Sequence, residues 1–224
     1  MFEKILKLLP VGFMAVLITA GIFGCDSGLE TSPEPGILRV SIQSNPQDTA
    51  IVIKSDTFSV IQGDSFGVKF FQGKVYNGDN YALLYESTDS YLTEDLVFNV
   101  IKRVDHSYKK LTVYESYVPP KSYDRVQVGI NAEEIRVSRV YTRFLYDADG
   151  NVIGSRLDTT TIVNPVRLPN DASPLMNFEK EFEVQENKTT EIVLRLDPFD
   201  SLERFKDSYV FNRKISVQDV IYHD

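Results

Sequence analysis

Few side chains in this chain could do chemistry, and most of those are carboxylates. The sequence has one cysteine, Cys25, and two histidines, His106 and His223. A hydrolytic triad needs a histidine held between a nucleophile and an acid. His106 falls in a turn between predicted strands and His223 is the penultimate residue, so we expect both at the surface. No group of histidines and cysteines could hold zinc. We therefore predict no catalytic residues, no cofactor and no enzymatic activity.

Paired carboxylates can hydrolyse glycosides without histidine when they lie about 5 to 10 Å apart. The acids that come in close pairs are Glu133 and Glu134, Glu179 and Glu181, and Asp197 and Asp200. They mostly flank predicted strands, where outward-facing charge is the ordinary explanation. A hydrolase that uses carboxylates alone is therefore the third of three functional hypotheses.

Asp147, Asp149 and Asn151 place oxygen ligands at alternate positions, as a calcium loop does. Val152 stands where an EF-hand requires glycine, and Asp158 stands where it expects a bidentate glutamate. A hairpin turn accounts for the same segment, because Asp and Asn tolerate the left-handed backbone and glycine adopts it at little cost. We prefer the hairpin, and keep Asp147, Asp149 and Asn151 as weak metal candidates.

The first 24 residues have the organisation of a secretory signal peptide. Lys4 and Lys7 precede an apolar run over residues 8–23, and Gly24 follows it. The run contains Pro10 and Gly12 and is shorter than the roughly 20 apolar residues that span a bilayer. We predict a signal helix in residues 1–24. An uncleaved anchor and a conventionally cleaved signal are the alternatives.

The end of this leader, Ile22-Phe23-Gly24-Cys25, resembles the lipobox of bacterial lipoproteins. In that family the cysteine thiol receives a diacylglycerol and becomes the new N-terminus. The resemblance implies lipidation at Cys25, palmitate among the acyl chains, and attachment to a membrane of the bacterial cell envelope. We expect the outer membrane or the cell surface rather than the inner membrane. Residues 25–35 are polar and proline-bearing, which predicts a flexible tether.

The composition excludes some partners. The chain has 24 Lys and Arg against 32 Asp and Glu, a formal net charge of -8. An acidic protein is not expected to bind nucleic acid, or to adsorb to anionic lipid through a basic patch. We expect its partners to be the membrane, through Cys25, and a protein of the envelope.

From Gly36 onward, apolar residues alternate with polar ones, as Leu38, Val40 and Ile42 show. Turn signals separate the short apolar runs at residues 54–56, 63–64, 77–80, 105–107, 147–151 and 186–188. We predict an all-β domain over residues 36–224. Its expected form is an antiparallel two-sheet sandwich, immunoglobulin-like or transthyretin-like. A division into two sub-sandwiches near 118–121 is the alternative. Residues 164–177 are predicted to be a loop, and residues 200–205 a short helix.

Two segments resemble a β-sandwich domain of unknown function that is common in bacterial and archaeal surface lipoproteins. The first is residues 36–42 with Asn45, Pro46 and the apolar stretch that follows. The second is residues 182–201, which contain Thr189, Thr190 and an apolar strand ending at Asp197. The resemblance implies a surface lipoprotein fold, and that family supplies no catalytic residues.

Three functional hypotheses follow. The first is a non-enzymatic lipoprotein with a structural or protein-binding role in the cell envelope. The second is a surface receptor for sugars or peptides. It would need an aromatic row on one solvent face, for which Tyr81, Tyr85, Tyr114 and Tyr141 are the candidates. The third is the carboxylate-dependent hydrolase.

Overall fold

A computed structural model of the protein describes residues 32–87 and 97–224, and these form an all-β structure. Cys25, the predicted signal peptide and most of the predicted tether lie outside the described residues. The sixteen strands of the described part are β1 (Gly36–Ser44), β2 (Ala50–Ile53), β3 (Asp56–Ser59), β4 (Ser65–Asn77), β5 (Asn80–Glu86), β6 (Val97–Asn99), β7 (Arg103–Val104), β8 (Ser107–Tyr108), β9 (Leu111–Val118), β10 (Lys121–Tyr146), β11 (Val152–Arg167), β12 (Leu175–Val184), β13 (Thr189–Leu196), β14 (Leu202–Phe205), β15 (Ser208–Phe211) and β16 (Ile215–His223).

The smaller of the two main sheets has four strands in the order β16-β13-β1-β9. β1 runs parallel to β13, from Ile37 opposite Thr189 to Ser44 opposite Leu196, and antiparallel to β9. The alternating residues Leu38, Val40 and Ile42 are fully buried. The period-two pattern of β1 therefore marks the face that this sheet turns toward the core.

The larger sheet has eight strands, with β14-β15-β11-β10-β4-β5 in order, β12 also paired with β10, and β6 paired with β4. β10 is its centre and is 26 residues long. It pairs first with β12, then with β4 and finally with β11, and the register shifts at several points along it. Such irregularities bend a strand.

One apolar core joins the two sheets. Phe70 of β4 meets Tyr114 of β9 edge-on, with ring centroids 6.4 Å apart, and Phe66 meets Phe211 at 5.3 Å. The core takes Leu38, Val40, Ile192 and Leu194 from the small sheet and Val126, Val128 and Ile130 from the large one. Because apolar burial is the main favourable contribution to folding, this shared core stabilises the body without a disulfide.

The structure confirms the main turn predictions. Gly78, with φ 57°, lies in a two-residue turn between β4 and β5. Lys54 and Ser55 join β2 to β3, and Asp105 and His106 join β7 to β8. Lys54, Asp105 and His106 have positive φ, the conformation that tight hairpins require.

Two local predictions are wrong. Residues 200–205 do not form a helix, because a single turn closed by Ser201 N to Asp197 O leads directly into β14, which pairs with β15. The predicted loop over residues 164–177 is shorter, because β11 continues through Pro165 to Arg167 and β12 begins at Leu175. At Pro165, β10 is the only described strand that pairs with β11, and a strand edge tolerates proline.

Both main sheets contain strands from before and after Pro119 and Pro120. β1 and β9 join β13 and β16 in the small sheet, and β4 joins β10 and β11 in the large one. The pairing is mostly antiparallel, with β1–β13 and β11–β15 as parallel exceptions. Within residues 32–87 and 97–224 no helix is long and apolar enough to cross a membrane.

Candidate functional site

The most unusual feature of the described structure is a two-stranded extension of the large sheet. Among the described strands, β10 pairs only with β11 past Val137, and β11 pairs only with β10 until it meets β15 at Val166. Residues 138–161 therefore form a ribbon beyond the body, which we call the arm. Its residues 140–146 are all exposed. Nothing in the described part of the chain covers either face of the ribbon there.

The arm forms a strand pair because its sequence favours extended backbone. Val140, Thr142, Phe144 and Tyr146 on β10 are β-branched or aromatic, and so is the run over residues 159–163 of β11. Ser138 Oγ and Thr161 Oγ1 lie 3.0 Å apart across the ribbon. Cross-strand pairs of this kind stabilise a ribbon that has no core of its own.

The tip of the arm is a turn organised by Asp147. One oxygen of its carboxylate accepts the backbone N–H groups of Asp149 and Asn151, at 2.9 and 2.8 Å, and the other accepts Asn151 Nδ2 at 3.2 Å. The hydrogen bond from the Asn151 backbone lowers the pKa of Asp147, with the Asn151 side chain adding to it. Gly150 has φ 84°.

This geometry is that of a capped hairpin, which supports the hairpin interpretation. Both oxygens of the Asp147 carboxylate accept hydrogen bonds from N–H groups of the turn residues. A metal ion bound to this carboxylate would have to displace those N–H groups. Among the described residues, no group of three or more His, Cys, Asp or Glu side chains is arranged to hold a metal.

One face of the arm has no charged residue between Ser138 and the tip. Residues opposite each other on paired strands share a face, and here Val140 lies opposite Thr159, Thr142 opposite Leu157, and Phe144 opposite Ser155. The uncharged face comprises Ser138, Val140, Thr142, Phe144 and Tyr146 of β10 with Ser155, Leu157, Thr159 and Thr161 of β11. Val140 is 62% exposed, Phe144 52% and Leu157 75%.

The opposite, charged face carries Arg139, Tyr141, Arg143, Arg156 and Asp158. Arg143 lies directly opposite Arg156, and Asp158 is 3.7 Å from the first and 3.4 Å from the second. One acid thus offsets the repulsion between two cations. These exposed pairs keep this face of the arm solvated and contribute little to stability.

The root of the arm is fixed to the body by Asp64, which is buried. Its carboxylate receives two hydrogen bonds from Arg139 Nη1, at 2.8 and 3.0 Å, and accepts the backbone N–H groups of Ser138 and Ile61 at 2.9 Å each. Arg139 also donates to Ser59 O and lies over the ring of Phe58. Asp64 therefore takes the place of a neighbouring strand at the point where β10 leaves β4.

A second buried acid, Glu191, lies in the small sheet. Ser41 Oγ donates to it at 2.6 Å, Lys110 Nζ lies 2.9 Å away and His223 Nε2 3.1 Å away. Burial alone would raise the pKa of Glu191, but the hydrogen bonds from Lys110, Ser41 and His223 more than offset it and lower the pKa to about 2. Ser41 contacts the acid rather than the histidine, so the group is not a hydrolytic triad.

The four candidate tyrosines do not share one solvent face. Tyr114 is buried, donates to Gln72 O at 2.9 Å and stacks on Tyr85 at 5.6 Å. Burial raises the pKa of Tyr114. Tyr81 is exposed beside Tyr76, and Tyr141 lies on the charged face of the arm. The aromatic row that a sugar receptor would need is therefore not formed by these residues.

Four of the six candidate acids have partners in the structure. Glu134 is bonded to Arg136, Glu179 lies 3.9 Å from Arg125, and Asp200 lies 4.0 Å from Lys214. Asp197 accepts Asn45 Nδ2 at 2.7 Å. The ion pairs of Glu134, Glu179 and Asp200 are those expected of acids that face outward from a β structure.

A groove of about 280 Å³ lies between the β2–β3 and β14–β15 hairpins and β11. Arg204 at its wall donates to the carbonyl oxygens of Lys54 and Lys206, and Tyr209 donates to Val52 O. Arg204 and Tyr209 therefore serve the hairpins, whereas Asn164 Nδ2 in the groove wall is buried without a hydrogen-bond partner among the described residues. The volume of the groove falls at the lower limit of ligand pockets.

Sequence reasoning placed the arm's turn but missed its uncharged face and both buried acids. Only one local signal pointed to Glu191, a single acid directly before the apolar run of residues 192–194. No family model, curated protein or solved structure matches the chain.

Proposed function

We propose that this protein is a bacterial lipoprotein, anchored by lipid on Cys25, whose arm binds a protein partner in the cell envelope. Its role is structural or binding rather than catalytic. The body, which we assign to the immunoglobulin-like or transthyretin-like sandwiches, is a rigid scaffold that carries the arm. The observation that supports this proposal most directly is the uncharged face of the arm.

An uncharged face on an isolated ribbon leaves apolar side chains in contact with water, which is unfavourable compared with covering them. Burying the remaining exposed surface of one side chain such as Phe144 or Leu157 contributes about 1 kcal/mol. The face combines such side chains with the hydroxyls of Thr142, Thr159 and Thr161. A protein surface can pack against the apolar groups and bond to the hydroxyls. Contiguous exposed apolar surface is characteristic of interaction sites.

The proposed lipid anchor would hold the arm close to the membrane. The lipobox resemblance at Cys25 implies two or three acyl chains, and two chains are enough for stable attachment. A partner in the same membrane, or in the layer next to it, then meets the arm at high effective concentration.

Photo-cross-linking in living cells tests the proposal. We expect a photoreactive residue at Phe144, on the uncharged face, to form adducts with another envelope protein. The matched control is Tyr141 on the charged face, three positions away and equally part of β10, which we expect to form few. The adducts from position 144 should also disappear when Val140→Asp is added. Equal adducts from positions 141 and 144, or adducts only with lipid from position 144, would contradict the proposal.

A further inference from the structure

The outer edge of β11 is open for most of its length. From Val152 to Pro165 the only strand paired with it in the described structure is β10, and β15 joins only at Val166 and Arg167. An open edge presents unpaired N–H and C=O groups, to which another strand can add. This edge is distinct from the uncharged face.

The charges on β11 are arranged to complement themselves. Between Val152 and Pro165 the strand carries two charged residues, Arg156 and Asp158, which lie on the same face on either side of Leu157. If two copies of β11 pair antiparallel about a two-fold axis through Leu157, each Arg156 lies opposite the Asp158 of the other copy. Opposite charges directly across a strand pair stabilise it.

The rest of that register also matches. Leu157 meets its own copy on the uncharged face, and Thr159 lies opposite Ser155. Gly154, which has no side chain, lies opposite Thr160. The irregularity at Ile153, which no residue of β10 opposes, limits regular pairing to residues 154–160. Pro165, which lacks an N–H, lies outside this segment.

The other edge of the arm is not self-complementary. From Ser138 to Tyr146, β10 carries Arg139 and Arg143 and no acid. An antiparallel pairing of two β10 edges about Tyr141 would place these arginines against each other, which is unfavourable. Arg139 is in addition committed to Asp64.

We propose that two copies of this chain associate through β11, with residues 154–160 paired antiparallel about Leu157. The two arms then form one four-stranded sheet. The interface is isologous and closes on itself as a dimer. Both copies leave their β10 strands at the outer edges, so Phe144 stays available to a partner.

Charge reversal in the full chain, purified in detergent, tests this proposal. By sedimentation equilibrium we expect a dimer for the native sequence. Arg156→Asp places two acids opposite each other and Asp158→Arg two cations, so each should raise the dissociation constant at least tenfold. The double variant restores opposite charges and should recover the dimer. Lys180→Asp, at an exposed position on β12, which pairs with the opposite end of β10, has the same change in net charge as Arg156→Asp and should have no effect.

Cysteine cross-linking tests the register. Leu157→Cys should form a disulfide-linked dimer under mild oxidation, because each copy meets itself at the axis. Val140→Cys, on the same face but on β10, should give no more product than the native chain with Cys25 alone. A monomeric native chain would overturn the proposal. So would a dissociation constant that neither charge reversal changes, or a double variant whose dissociation constant is as high as those of the single variants.

Discussion

At the scale of the residue, the two buried acids show how this fold accommodates charge in its interior. Asp64 and Glu191 are each almost fully enclosed, and the groups that donate hydrogen bonds to each of them include a cation. A buried charge is tolerated when it is paired and its oxygens are occupied. Asp64 fixes the arm and Glu191 joins β1, β13, the end of β16 and Lys110. Both are structural residues.

Glu191 should make the stability of the body depend on acid pH. Its pKa of about 2 lies below the ordinary value of 4.5, so the folded state favours the ionised form. The stabilisation is present above pH 4.5 and is lost as pH falls toward 2. Glu191→Gln should lower the free energy of unfolding by about 2 kcal/mol at pH 7, measured by urea denaturation, and by much less near pH 2.

Glu115→Gln is the matched control for this prediction. Glu115 lies on β9 in the same sheet and pairs with Arg39 at the surface. Its loss should cost under about 1 kcal/mol. If Glu191→Gln and Glu115→Gln cost the same, or if the effect of Glu191→Gln did not shrink in acid, the buried cluster would not act as described.

At the scale of the element, β10 changes role along its length. Its first part is core strand, and its last part is half of the arm. Asp64 marks the change, because it accepts the N–H of Ser138 where β4 no longer does. The arm is thus oriented by a contact made at its base, while its far end depends on the turn at Asp147.

Asp64→Ala should therefore loosen the arm as well as weaken the body. It leaves Arg139 without its carboxylate and Ser138 N–H without an acceptor, and breaking a buried ion pair costs about 3 kcal/mol or more. Relative to the native chain, Asp64→Ala should speed up hydrogen exchange at residues 138–146 more than in the core strands β1 and β13. Asp56→Ala, an exposed change on nearby β3, should alter neither the exchange rates of the arm nor the free energy of unfolding. Unchanged exchange at the root after Asp64→Ala would contradict this role.

The elements of this fold were predictable from sequence where the signal is local. The alternation in β1 and the turns at Gly78 and Gly150 follow from side-chain period and backbone conformation. The continuity of β10 was not predictable, since Asn131, Glu133 and a register shift interrupt its apolar pattern.

The arm itself was hidden for a different physical reason. Val140, Phe144 and Leu157 alternate as in any half-buried strand, and the sequence does not say whether another element covers them. The pair that fixes its root, Asp64 and Arg139, is separated by 75 positions. Long-range contacts of this kind leave no local pattern.

At the scale of the whole molecule, the proposed function requires an anchor at Cys25 besides the body and the arm. The lipobox resemblance predicts that Cys25 is acylated. Metabolic labelling with an alkyne analogue of palmitate should mark the native chain, and Cys25→Ser should abolish the label and release the protein from membranes. Ser27→Ala, two positions further on, should keep both. A labelled Cys25→Ser variant would contradict the anchor.

On the proposed function the arm, and not the body, binds the partner. Val140 lies opposite Thr159, so residues 141–158 can be replaced by Asn-Gly, which closes a two-residue hairpin at that pair. Native electrophoresis of detergent-solubilised membranes measures the result. We predict that the native chain migrates in a complex larger than a dimer, and that the shortened chain, still folded, migrates alone. A shortened chain that remains in the large complex would show that the partner does not bind through the arm.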